Sequence, residues 1–111
     1  MATRSNIGYK IKDGRNAGKY AFVYCHWDGY LEGVGEDLKS NYNSYEDIVK
    51  LVQAGNMSTP GEPYTDRGRD YNDTKPKITD NINETFQQEY AYIFKDDKFI
   101  YSEDGKEWRN L

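Results

Sequence analysis

The chain has 111 residues, 36% of them hydrophobic and 31% charged, and its 15 basic and 19 acidic side chains give a formal net charge of −4. That length suits one hydrophobic core and is too short for two self-supporting ones, so a single domain over 1–111 is expected. The acidic balance speaks against a general nucleic-acid binder with a basic stripe, and no apolar run approaches the ~20 residues that cross a bilayer.

Residues 5–11 alternate, with Ser5, Ile7, Tyr9 and Ile11 on one side and Asn6, Gly8 and Lys10 on the other, which is the period of a strand. A turn-rich run, Asp13 to Gly18, reverses the chain. Residues 19–27 form a second strand, with Tyr20, Phe22, Tyr24 and His26 on one face and Ala21, Val23, Cys25 and Trp27 on the other. The two strands pair as a hairpin. Asp28 is placed to cap a helix carrying Tyr30, Leu31, Val34, Leu38 and Tyr42 at helical spacing, although Gly33 and Gly35 weaken it. A second helix starts at the capping-box pattern Ser44-Tyr45-Glu46-Asp47, buries Ile48, Leu51 and Val52, and stops at Gly55.

From about 56 to 88 the chain is polar, holds all three prolines and has no sustained apolar period, so it reads as a long loop, of the kind that is either functional or disordered. Strand chemistry returns at Tyr90 to Phe94, turns at Lys95-Asp96-Asp97, and continues at Lys98 to Tyr101, with Trp108 following a second turn. Strands, then helices, then strands imply an α+β fold: an antiparallel sheet of about four to five strands with two helices packed on one face. Its exposed edges and aromatic faces would also suit a homo-oligomer.

The single cysteine, Cys25, cannot close an internal disulfide, and the N-terminus is polar, so a cytoplasmic protein is expected. Strand alternation points Cys25 away from His26, which gives the thiol a packing role and no imidazole partner. His26 and Asp28 stand two apart, a spacing that would let the carboxylate orient the imidazole of a small hydrolase; an aromatic-row histidine beside a capping aspartate is the plainer alternative. One histidine and one cysteine do not make a transition-metal site, and Gly29, Gly33 and Gly35 lack the spacing of a dinucleotide or phosphate loop, so no metal or cofactor is expected.

The remaining constellation joins aromatic rings to arginines. Tyr24, His26, Trp27 and Tyr30 lie at the strand-to-helix junction. Arg67 and Arg69 lie in the glycine-flexed loop, and Arg4 lies near the start of the chain. Aromatic rings stack bases and arginine grips phosphate, so together they could enclose a nucleotide; Asp66 and Asp70 could equally pair with the arginines.

The segment Cys25-His26-Trp27-Asp28-Gly29-Tyr30, followed by Val34-Gly35 and Leu38, carries a resemblance that other landmarks extend along the chain. They are Thr3 to Ile7, Gly55 with Ser58, Asp66-Arg67-Gly68, Tyr90 to Phe94, and Trp108. On these residues the protein resembles a family of small proteins encoded mainly by bacteriophage and prophage genomes. Leu31 and Glu32 depart from it, standing where that family more often has proline and a small residue. The resemblance implies a dispensable phage product acting inside the infected cell, and no reaction. The expected function is host takeover or anti-defence by sequestering a small anionic, nucleotide-derived ligand. The alternatives are an inhibitor that binds a host protein through its aromatic or acidic surface, and a hydrolase using His26 and Asp28.

Overall fold

In a computed structural model of the chain, which describes residues 3–63, 65, 66, 69, 70 and 75–111, the two hairpins meet in one mixed sheet. Strand β1 (Ser5–Lys10) pairs antiparallel with β2 (Tyr20–Cys25), and β8 (Tyr90–Lys95) pairs antiparallel with β9 (Lys98–Ser102). Between these hairpins β1 runs parallel to β8, with Ile7 opposite Tyr92. Beyond β2 come β3 (Met57–Thr59) and β4 (Glu62–Pro63), and beyond β9 comes β10 (Arg109–Asn110), in the order β10-β9-β8-β1-β2-β3-β4. β5 (Thr65–Asp66) and β6 (Arg69–Asp70) pair with each other, and β7 (Lys77–Thr79) pairs with β2.

The α+β class agrees with the sequence, but an all-antiparallel sheet of four to five strands does not: the sheet is mixed and has more strands. The reason is physical. A turn fixes the direction of the strands it joins, whereas period-two alternation is the same for parallel and antiparallel neighbours. Placing β1 beside β8 buries both strands at the centre of the sheet and leaves short, polar strands at its edges. Residues 57–59 and 77–79, in the stretch read as loop, supply two of these short strands.

Both helices lie over one face. α2 (Tyr45–Gln53) begins as its sequence requires, with Ser44 Oγ accepting from the Asp47 amide at 3.2 Å, and Ile48, Leu51 and Val52 pack on Ile7, Ala21, Val23, Tyr92 and Phe94. α1 (Glu36–Asn41) begins differently from expectation. Asp28 sits in left-handed backbone at φ 57° and its carbonyl, not its carboxylate, accepts from the Val34 amide at 2.7 Å across a wide π-helical turn, Leu31–Gly35. Gly33 permits this turn, because a Cβ there would collide with the Asp28 carbonyl. On the opposite face Tyr20, Phe22, Ala91 and Ile93 are also buried. There the buried Asn6 donates through Nδ2 to the carbonyl of Thr85 at 2.9 Å, docking the 3-10 turn Ile82–Thr85, which Trp108 Nε1 also holds through Asn83 Oδ1 at 2.8 Å.

Candidate functional site

Strand β2 has two neighbours on its outer edge, and they diverge. β7 follows it antiparallel from Tyr20 to Phe22, while β3 meets it parallel at Cys25. Val23 and Tyr24 fall between. The Tyr24 amide donates to Asn56 Oδ1 at 3.1 Å, which satisfies that part-buried backbone donor.

This notch opens into a cavity of about 190 Å³ lined by Asn6, Phe22, Val23, Tyr24, Asn56, Lys75, Lys77, Gln87 and Gln88. Its chemistry is uniform: four carboxamides, two ammonium groups, two aromatic rings and, among the described residues, no carboxylate. In a chain of net charge −4 this is a local reversal of sign. Neither lysine has a carboxylate partner among the described residues, and both are exposed. A larger cavity of about 500 Å³ at the far end of the sheet holds Lys10, Lys12 and Lys95 but also Asp96 and Asp97. There Lys12 is committed to Asp97 at 3.4 Å and to the Tyr45 ring at 4.5 Å.

An aromatic chain leads out of the first cavity. Tyr24 Oη lies 2.6 Å from His26 Nδ1, and the imidazole meets the Trp27 ring edge-on at 4.6 Å. Trp27 is 47% exposed and Tyr30 39%, and Tyr30 Oη donates to Asp28 Oδ1 at 3.3 Å. The structure therefore brings Tyr24, His26 and Trp27 into contact, with Tyr30 tied to Asp28 just beyond. The spacing of two between His26 and Asp28 does not put them on one strand, because β2 ends at Cys25 and Asp28 has turned into left-handed backbone. Arg4 is exposed, two residues before Asn6, and its carbonyl accepts from the Glu89 amide next to Gln88. Arg67 lies outside the described residues; Arg69 belongs to β6, and its side chain lies outside them as well.

Cys25 is fully buried, its Sγ 3.6 Å from the Ser58 carbonyl and 3.8 Å from that of Trp27, and burial pushes its thiol up to about 12. That excludes a thiolate at neutral pH and leaves Cys25 a packing role. Among the described residues no three His, Cys, Asp or Glu side chains gather as a metal site would need.

The sequence reading missed Asn6, Asn56, Lys75, Lys77, Gln87 and Gln88. One signal was present: Lys75-Pro76-Lys77 puts two like charges on either side of a rigid residue, which aims them alike if the segment is extended. Comparison of the chain with family models, with curated proteins and with solved structures found no match.

Proposed function

We propose that the protein is a phage-encoded accessory protein that sequesters a small anionic, nucleotide-derived ligand in the cavity between β3 and β7. The observation that carries this reading is the lining itself, where Lys75 and Lys77 stand among carboxamides and rings with no described carboxylate to repel an anion. Lysine offers phosphate a point charge, and the Phe22 and Tyr24 rings offer a base a surface. The phage setting comes from the resemblance of the Cys25–Tyr30 segment and its companions. A binding role agrees with the way the polar groups are used: His26 is bonded to Tyr24, and Asp28 accepts from Tyr30.

Calorimetric titration with AMP, ADP-ribose and cyclic dinucleotides tests the reading. At least one should bind with Kd below about 100 μM, and the double substitution Lys75→Ala/Lys77→Ala should weaken it at least about tenfold. The bound molecule should be recovered unchanged, which separates sequestration from hydrolysis. Absence of binding by all of them to about 1 mM would overturn the proposal.

The exposed Trp27 and Tyr30 favour a second reading, inhibition of a host protein, since exposed tryptophan and tyrosine anchor protein interfaces. It requires a stoichiometric host partner whose capture is lost in Trp27→Ala while small-molecule binding persists.

A further inference from the structure

The lysines account for a negative charge, but they do not explain why the cavity is walled by carboxamides held in fixed orientations. Asn6 is 2% exposed and its Nδ2 is committed to the Thr85 carbonyl at 2.9 Å. A carbonyl can only accept, so the amide nitrogen must face Thr85 and the Asn6 oxygen must point the other way. Among the described residues that oxygen has no hydrogen-bond partner, yet it is not among their sealed, unsatisfied polar atoms, and Asn6 is on the cavity wall. Asn56 is the mirror case. Its Oδ1 is fixed by the Tyr24 amide, which can only donate, so its Nδ2 is left as a donor, and Asn56 stands on the wall of the same cavity as well as of a smaller one beside α2. Each orientation is dictated by a backbone group that cannot change role.

Resting on the anion-binding reading above, we infer that Asn6 and Asn56 are specificity-determining residues that read a donor-plus-acceptor edge on the ligand, so that the ligand is a nucleobase-bearing phosphate and not a bare phosphate, polyphosphate or sugar phosphate. Asn6 Oδ1 accepts from a ring N–H or exocyclic amino group, and Asn56 Nδ2 donates to a ring nitrogen or carbonyl oxygen. Phe22 and Tyr24 supply the adjoining rings, and Lys75 and Lys77 take the phosphate at the mouth. A buried amide built to bond a base is left unpaired by a ligand that lacks one, which is the strongest form of rejection a small site can exert.

The test is a calorimetric series on the whole protein with inorganic phosphate, ribose 5-phosphate, AMP, GMP, CMP and UMP. The expected result is that at least one nucleotide binds about tenfold or more tightly than ribose 5-phosphate. Lys77→Ala should weaken ribose 5-phosphate and the preferred nucleotide by the same factor, leaving their ratio unchanged. Asn56→Asp keeps an oxygen for the Tyr24 amide but turns the cavity-facing donor into an acceptor, so it should bring the ratio close to one. If ribose 5-phosphate binds as tightly as every nucleotide, this inference falls while the anion site stands. If ribose 5-phosphate, every nucleotide of the series, ADP-ribose and the cyclic dinucleotides all fail to bind to about 1 mM, both readings fall together. The wild-type series decides the matter even if Asn56→Asp does not fold, and an unchanged ratio in a folded Asn56→Asp overturns the role of that amide.

Discussion

Tyr92→Phe isolates one buried hydrogen bond at the junction on which the site depends. Tyr92 lies on β8 with no exposed surface, its ring stacked on Tyr90 at 6.2 Å, and its Oη donates to the carbonyl of Gly29 at 2.7 Å. Gly29 is pinned from its other side too, since its amide donates to Thr3 at 2.9 Å. Phenylalanine keeps the ring and its packing but strips the Gly29 carbonyl of its donor. A typical bond contributes about 1 kcal/mol net, and an orphaned buried acceptor adds a desolvation cost, so a total near 2 kcal/mol is expected. In a chain of this size that lowers Tm by about 8 °C. The pH dependence supplies an independent check. Burial, the largest cause, raises the Tyr92 phenol above its ordinary 10.0. The folded protein then holds this proton more tightly than the unfolded chain does. Its contribution is complete below pH about 10 and is lost as pH rises beyond that value. The variant has no such proton to lose, so the gap between wild type and Tyr92→Phe should narrow from about pH 7 to about pH 11. Urea denaturation at both pH values measures this. A loss below about 0.5 kcal/mol at neutral pH, or a gap that stays constant, would refute the reasoning.

Substitutions at three other positions test separate links in the structure. Ser44→Ala removes the α2 cap and should cost about 1 kcal/mol in urea denaturation, while Ser44→Asp should restore most of it. Asp97→Gly should stabilise by about 0.5 kcal/mol, because the two-residue turn of the β8–β9 hairpin holds Asp96 and Asp97 at φ 55° and 62°, and the lost contact with Lys12 joins exposed groups; a loss of stability would contradict it. Cys25→Ala should flatten the alkaline stability profile. With the thiol raised from 9.0 to about 12 in the folded state, wild type loses about 1.4 kcal/mol per pH unit through that window, and the variant lacks this loss.

What was legible in the sequence was local. Alternation located Ser5–Lys10 and Tyr20–Cys25, the aromatic runs located Tyr90–Lys95 and Lys98–Ser102, and Ser44 with Asp47 located the start of α2. The parallel pairings of β1 with β8 and of β2 with β3 join segments far apart in sequence and leave no periodic mark. The cavity was hidden for the same reason. Asn6 in an alternating strand reads as a solvent-facing polar residue, and only the carbonyl of Thr85, 79 positions away, makes it interior. Asn56 reads as the first residue after a helix stop, and its role appears only once Tyr24 needs an acceptor. Tyr24 and His26 stood out in the sequence because aromatic residues at alternate positions announce themselves without any partner being known.

The Cys25–Tyr30 segment and the cavity have different duties, and they meet at one hydrogen bond. Cys25 is sealed in the core, Asp28 turns the chain, and Gly29 is fixed at both its amide and its carbonyl, so half of the segment is spent on joining β2 to the helices. His26 is the link, because its Nδ1 meets the hydroxyl of Tyr24, a residue of the cavity wall. Trp27 and Tyr30 stand further out, and they divide the two functional readings. If the ligand extends along the aromatic chain, Trp27→Ala should weaken nucleotide binding severalfold, in proportion to a lost stacking surface. If the exposed rings serve a protein partner, nucleotide affinity should stay within a factor of two while partner binding collapses. Titrating Trp27→Ala and Tyr30→Ala against both kinds of ligand assigns the outer rings to one duty or the other.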